Sequence, residues 1–117
     1  MSDLSVVEVD ARDGVPIVRV SGEIDLSNAD EVLTSIESAA VGNAPGLVVD
    51  LRELVYLDSA GVRLLFQASR SVASSGGRLV VLVAPDSPAR RVLEIADAAS
   101  VFPLVDSEEA AIQVVHG

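Results

Sequence analysis

Tyr56-Leu57-Asp58-Ser59-Ala60-Gly61-Val62-Arg63-Leu64-Leu65-Phe66 reads as a strand running into a tight turn and then a helix. The turn sets Ser59 at or beside the helix N-cap, at the end of a buried scaffold. The first amides of a helix lack intrahelical partners and its N-terminal end is partially positive, so a hydroxyl placed there is a good phosphate acceptor. Without phosphate the same serine is an ordinary helix cap, whose removal is expected to cost about 0.5–2 kcal/mol. Upstream, Leu47-Val48-Val49-Asp50-Leu51 is almost continuously apolar, as a central strand covered on both faces must be. Downstream, Val62, Leu65, Phe66, Ser69, Val72 and Ala73 share one helical face until Ser75-Gly76-Gly77 stops the helix. Residues 79–84 are again an apolar strand, so this stretch predicts one strand–helix–strand unit with parallel strands.

The flanks extend the pattern in both directions. Residues 4–9 and 16–21 are Val-rich and are separated by Ala11-Arg12-Asp13-Gly14, a turn signal that predicts an antiparallel hairpin, with Pro16 at a strand start or edge. Gly22-Glu23-Ile24-Asp25-Leu26 leads to Ser27 as the expected cap of a first helix, whose apolar positions Ala29, Val32, Leu33, Ile36 and Ala40 run until Gly42. Gly22 is placed where the second strand ends and would let the backbone bend close to the Ser59 turn. Pro45-Gly46 breaks the chain before the central strand. Asp86-Ser87-Pro88 starts a third helix with Ser87 as cap and Pro88 in its first position, and Ala89, Val92, Leu93 and Ala96 form its buried face. Residues 101–105, interrupted by Pro103, are expected as an edge strand, and a last helix follows Asp106-Ser107 with Glu108 and Glu109 in its first turn. The expected fold is an α/β sandwich with a mixed β-sheet, an N-terminal antiparallel hairpin and about four helices, one domain over residues 1–117.

Composition narrows the functional classes. Half of the 117 residues are hydrophobic, which suffices for one sheet-and-helix core, while aromatic residues make up 3% and leave little with which to stack bases or sugars. The net charge of −10 argues against nucleic acid and against an anionic membrane, and suits a protein partner with a basic patch. There is no cysteine, hence neither a disulfide frame nor a thiolate. The start Met1-Ser2-Asp3-Leu4-Ser5 has no charged leader or apolar core of a signal sequence, and no apolar run approaches a membrane span, so a cytoplasmic location is expected.

Enzyme chemistry finds few residues. The one histidine, His116, is next to last and is expected as an exposed, fraying tail residue, so Ser59 lacks a partner base and Asp58 does not supply triad geometry. Asp25, Asp50 and Asp58 could converge at strand ends on a metal, but in a chain this acidic solvated or capping roles are the plainer reading, and no metal or cofactor is expected. Ser75-Gly76-Gly77 lacks the spacing and lysine of a phosphate-binding loop.

Val18-Arg19-Val20-Ser21-Gly22-Glu23-Ile24-Asp25, then Leu47-Val48-Val49-Asp50-Leu51, then Leu57-Asp58-Ser59-Ala60-Gly61 resemble the successive signatures of the anti-sigma factor antagonist family, the bacterial STAS domains. Gly77-Arg78-Leu79-Val80-Val81 and Arg91-Val92-Leu93-Glu94-Ile95-Ala96 resemble that family's later strand and helix. The resemblance implies phosphorylation at Ser59 by an anti-sigma factor with serine kinase activity, and partner binding through Asp25, Asp58, Ala60 and Gly61. It further implies capture of that anti-sigma factor in the dephosphorylated state, release of a sigma factor, and a phosphoserine phosphatase as a second partner. A second Ser or Thr often follows the phosphorylated serine in the family; Ala60 stands there, leaving one acceptor in the turn. No nucleic acid or membrane partner is expected, and the chain should be a monomer or weak dimer. The alternative is a structural STAS subunit of a larger sensory or transport assembly with no phosphate switch.

Overall fold

The computed structural model describes residues 4–40 and 44–117. Strands β1 (Ser5–Arg12) and β2 (Val15–Ile24) form the expected hairpin, but the turn is shorter than the sequence suggested. Only Asp13 and Gly14 lie between the strands, with φ of +53° and +78°. Two successive positive φ values match the twist of a two-residue hairpin, and Asp–Gly tolerates them. Arg12 and Val15 close this turn as a pair, so alternation makes Ala11 and Pro16 a non-hydrogen-bonded pair, where the missing N–H of Pro16 costs the hairpin nothing.

Strand β3 (Gly46–Asp50) runs parallel to β2 and is buried throughout, as its unbroken apolar sequence required. The chain then turns and resumes as β4 (Leu54–Leu57), which pairs in parallel with the upper part of β2 beyond the reach of β3. One edge of β2 is therefore covered by two strands in succession. Strand β5 (Arg78–Leu82) lies beside β3, and β6 (Leu104–Val105) beside β5, giving the order β1-β2-β3-β5-β6 in a mixed sheet. The edge strand is thus present, trimmed to two residues after Pro103.

Helices α1 (Ala29–Ala39), α2 (Ser59–Ser74) and α3 (Pro88–Ile95) pack on one face of the sheet around Val18, Val20, Val49, Leu65, Val81 and Leu93. Helix α4 (Glu108–His116) covers the other face alone, through Ala111, Ile112 and Val115 against Ile17, Val48, Val80 and Leu82. The buried face of α2 is wider than its first apolar stripe indicated. Leu64 and Ala68 are also buried, whereas Ala73 is exposed, because α2 packs against both α1 and the sheet. Ser87 and Ser107 cap α3 and α4 as expected, each accepting from the amide three residues on at 3.1 Å. The end of the first helix expected at Gly42 lies outside the described residues, and Ala40 follows the last turn of α1 as an exposed residue.

Candidate functional site at the start of the second helix

Ile24 of β2 and Leu57 of β4 are partners in register, so the residues that follow them, Asp25 and Asp58, emerge side by side from neighbouring parallel strands. The Asp58 amide donates to the Ile24 carbonyl at 3.4 Å and ties the turn to the strand end. Asp58, and not Ser59, is the N-cap. Its backbone is extended and its Oδ1 accepts from the amides of Ala60 at 2.9 Å and Gly61 at 3.2 Å. Ser59 occupies the first helical position with an exposed side chain. The expected capping role therefore passes to its neighbour, and two of the helix amides expected to be open to a phosphate are already occupied by the Asp58 carboxylate.

Gly61, expected among the partner-binding residues, is buried. A Cβ there would collide with Leu57 Cδ1 and crowd Ile24 Cγ2, so the glycine is what lets α2 start close against β2 and β4. Gly22 also acts differently from the expectation. It does not end β2, which continues to Ile24; it has φ of +91°, lies at a register shift between β2 and β4, and its Cα faces the Leu4 carbonyl with no room for a Cβ.

Asp25 is partly exposed and organises its own loop. Its Oδ1 accepts from the Ser27 hydroxyl at 2.6 Å and the Ser27 amide at 2.8 Å, and these bonds hold its carboxyl below the usual aspartate range. Ser27 thus points back to Asp25 and does not cap α1. Asn28 occupies that N-cap position without a capping side-chain bond; it is buried, donating to the Glu23 carbonyl at 2.8 Å and the Ser5 hydroxyl at 3.3 Å, and accepting from the Asp25 amide at 2.9 Å. Sequence reasoning missed Asn28 because a buried amide bridging two strands has no local pattern.

Exposed apolar side chains flank the Ser59 turn beside the charged Asp25, Asp58 and Arg63. Leu26 and Ile95, each lining a groove on one side of α2, are 80% and 82% exposed. A groove of about 370 Å³ between α2 and α3 is lined by Ser59, Val62, Arg63, Phe66, Val92, Ile95 and Ala96. On the other flank of α2 a second groove toward α1 is of mixed character, with Leu26, Leu33 and Leu64 beside Asp30, Arg63 and Gln67.

The remaining candidates lie apart. Asp50 is buried and takes Arg52 through two bonds, Nε to Oδ1 at 3.1 Å and Nη2 to Oδ2 at 2.8 Å, so it does not converge with Asp25 and Asp58. His116 belongs to the last turn of α4, where its Nε2 lies 3.0 Å from the Asp13 carbonyl, at the opposite end of β2 from Ser59. It is exposed, as expected, and this contact joins it to the hairpin turn. Among the described residues no group of three or more His, Asp or Glu could hold a metal, and no helix is long and apolar enough to cross a membrane.

Residues 6–111 match the family described as the STAS domain. The anti-sigma-F factor antagonist RsfB of Mycobacterium tuberculosis is 30% identical over 115 residues, covering 98% of this chain and 93% of that protein. An anti-sigma F factor antagonist of Paenibacillus polymyxa is 27% identical over 107 residues, 91% of each. Among solved structures, the crystal structure of an anti-sigma factor antagonist from Mycobacterium paratuberculosis superposes with a TM-score of 0.85 at 27% identity, covering 97% of this chain and 95% of that one.

Proposed function

The chain belongs to the STAS domain family, and from that premise we propose that it is an anti-sigma factor antagonist that works by partner switching. In the unmodified state the Ser59 turn and its apolar surroundings bind an anti-sigma factor and so free a sigma factor. That anti-sigma factor is also a serine kinase: it transfers the γ-phosphoryl group of ATP to Ser59 Oγ, the hydroxyl proton is lost and ADP leaves. The modified protein is released, and a phosphoserine phosphatase returns it to the binding state. The setting for these steps is the cytoplasm.

The observation that carries this reading is the placement of an exposed Ser59 at the rim of a mostly apolar groove between α2 and α3, one position after a carboxylate that caps the helix. A neutral hydroxyl there needs one hydrogen bond to be buried by a partner at little cost. A phosphate brings about −1.5 to −2 charges and three oxygens that need solvation or donors. Asp58 already uses the Ala60 and Gly61 amides, and its own charge adjoins the phosphate. Contact with an apolar partner surface is then lost through desolvation and local repulsion, with no refolding required.

Incubation with the cognate anti-sigma kinase and ATP, read by intact mass and peptide mapping, tests the assignment. One phosphate is expected, on Ser59; Ser59→Ala should abolish labelling and keep binding. Labelling mainly at Ser27, Ser87 or Ser107 would overturn it.

A further inference from the structure

We propose that Arg63 is the intramolecular counter-ion of a phosphate on Ser59. The inference rests on the reading that Ser59 is modified, and it concerns what the chain itself does with the added charge. Residues four apart on a helix lie one above the other, and side chains tilt toward the helix N-terminus, which sets Arg63 on the same side of α2 as Ser59 and one turn from it, within the span of an arginine side chain. Both residues line the groove between α2 and α3. Arg63 is exposed, and among the described residues its guanidinium has no ion pair and no hydrogen bond, a state it shares with Arg70 and Arg91, neither of which lines this groove, whereas Arg12, Arg19, Arg52 and Arg90 are each paired with a carboxylate.

The demand for such a cation comes from the turn. A phosphate at a helix start is ordinarily held by the first free amides, but those of Ala60 and Gly61 are bonded to Asp58 Oδ1. The other charges near this end of α2 are Asp58 itself, Asp25, which emerges beside it from β2, and Asp30 of α1, which lines the second groove, and all three repel phosphate. On the α3 side the groove is lined by Val92, Ile95 and Ala96, which supply no charge. Arg63 is the cation that α2 presents on this rim, and a guanidinium pairs phosphate oxygens through two N–H groups at once. Phosphorylation then also takes Arg63 away from the surface offered to a partner.

The test uses the full chain carrying phosphoserine at position 59, installed during translation, so no kinase is needed. Phosphorus NMR follows the second ionisation of the phosphate against pH, with circular dichroism confirming the fold. A pairing cation favours the dianion, so the midpoint with Arg63 should lie below that of Arg63→Gln by about 0.2–0.7 pH units, with Arg63→Lys between them. Arg70→Gln, two turns further along α2, should leave it unchanged. Equal midpoints for the parent chain and Arg63→Gln, or an equal shift from Arg70→Gln, would overturn the proposal. Either result is independent of whether a kinase labels Ser59, so failure of the counter-ion and failure of the switch are told apart.

Discussion

Asp58 and Ser59 are both residue types that cap helices, and only Asp58 does so here. Asp58 closes the helix start with its carboxylate, and this leaves the Ser59 hydroxyl uncommitted and exposed. Urea unfolding should therefore show Asp58→Ala losing about 0.5–2 kcal/mol, the worth of a cap. Ser59→Ala should stay within about 0.5 kcal/mol of the parent, as a surface change does; the reverse ranking would make Ser59 the cap. Asp25 gives a second residue-scale test. Its carboxyl is depressed first by the Ser27 hydroxyl and then by the Ser27 amide. A depressed folded value means that the turn's contribution to stability is present above the ordinary aspartate value of 3.8 and is lost as pH falls through the folded value. An NMR titration should thus place the Asp25 midpoint below 3.8, with the Ser27 amide signal moving in step, and Ser27→Ala should raise it. A midpoint at 3.8 or above in the parent chain would contradict the geometry. In the same way, loss of binding by Asp25→Ala is to be read as a disturbed loop before it is read as a lost contact.

Elements held by local chemistry were legible in the sequence. The strand–α2–strand unit, the hairpin, and the Ser87-Pro88 and Ser107 helix starts all follow from residues within a few positions of one another. Strand β4 was less so: it is four residues long, and Val55 and Tyr56 at its centre are both exposed, so no alternation marks it as a strand distinct from β3. What escaped altogether was the charge network that joins α4 to the sheet. Arg19 of β2 bonds Glu108 at the start of α4 at 3.0 Å and Asp10 of β1 at 3.1 Å, and its Nε lies 3.5 Å from Asp50. Arg12 reaches the other oxygen of Glu108 at 3.3 Å. Partners this distant along the chain leave no spacing signal. Asp50 is the buried member, and its Arg partners keep access to water, so Asp50→Ala should cost about 1–3 kcal/mol, as loss of charge-assisted hydrogen bonds does. Glu108→Gln, at a more open position, should cost less than about 1 kcal/mol. Equal losses in denaturant melts would mean that the network acts as one unit, without a buried centre.

At the scale of the molecule, the question is whether phosphate acts through total charge or through its place. The chain already carries −10, and one phosphate adds about −1.5 to −2, so long-range repulsion from an acidic partner surface, or attraction to a basic one, changes only by a modest fraction. On the proposed reading the local change is far larger: Leu26 and Ile95 are exposed on either side of α2, and Ser59 between them passes from neutral to dianionic on modification. Salt separates the two accounts, since the screening length falls from about 10 Å at 0.1 M to about 3 Å at 1 M. If phosphate acts locally, calorimetric titration of the anti-sigma partner should show the gap between the unmodified chain and the phosphoprotein largely preserved as salt is raised, even though both affinities move. Ser59→Asp and Ser59→Glu should fold, because a carboxylate at a helix start is tolerated, and should bind between the two, having less charge and fewer oxygens than phosphate. A gap that closes at high salt would assign the switch to net charge, and equal affinity of the unmodified chain and the phosphoprotein at every salt concentration would remove Ser59 from the switch.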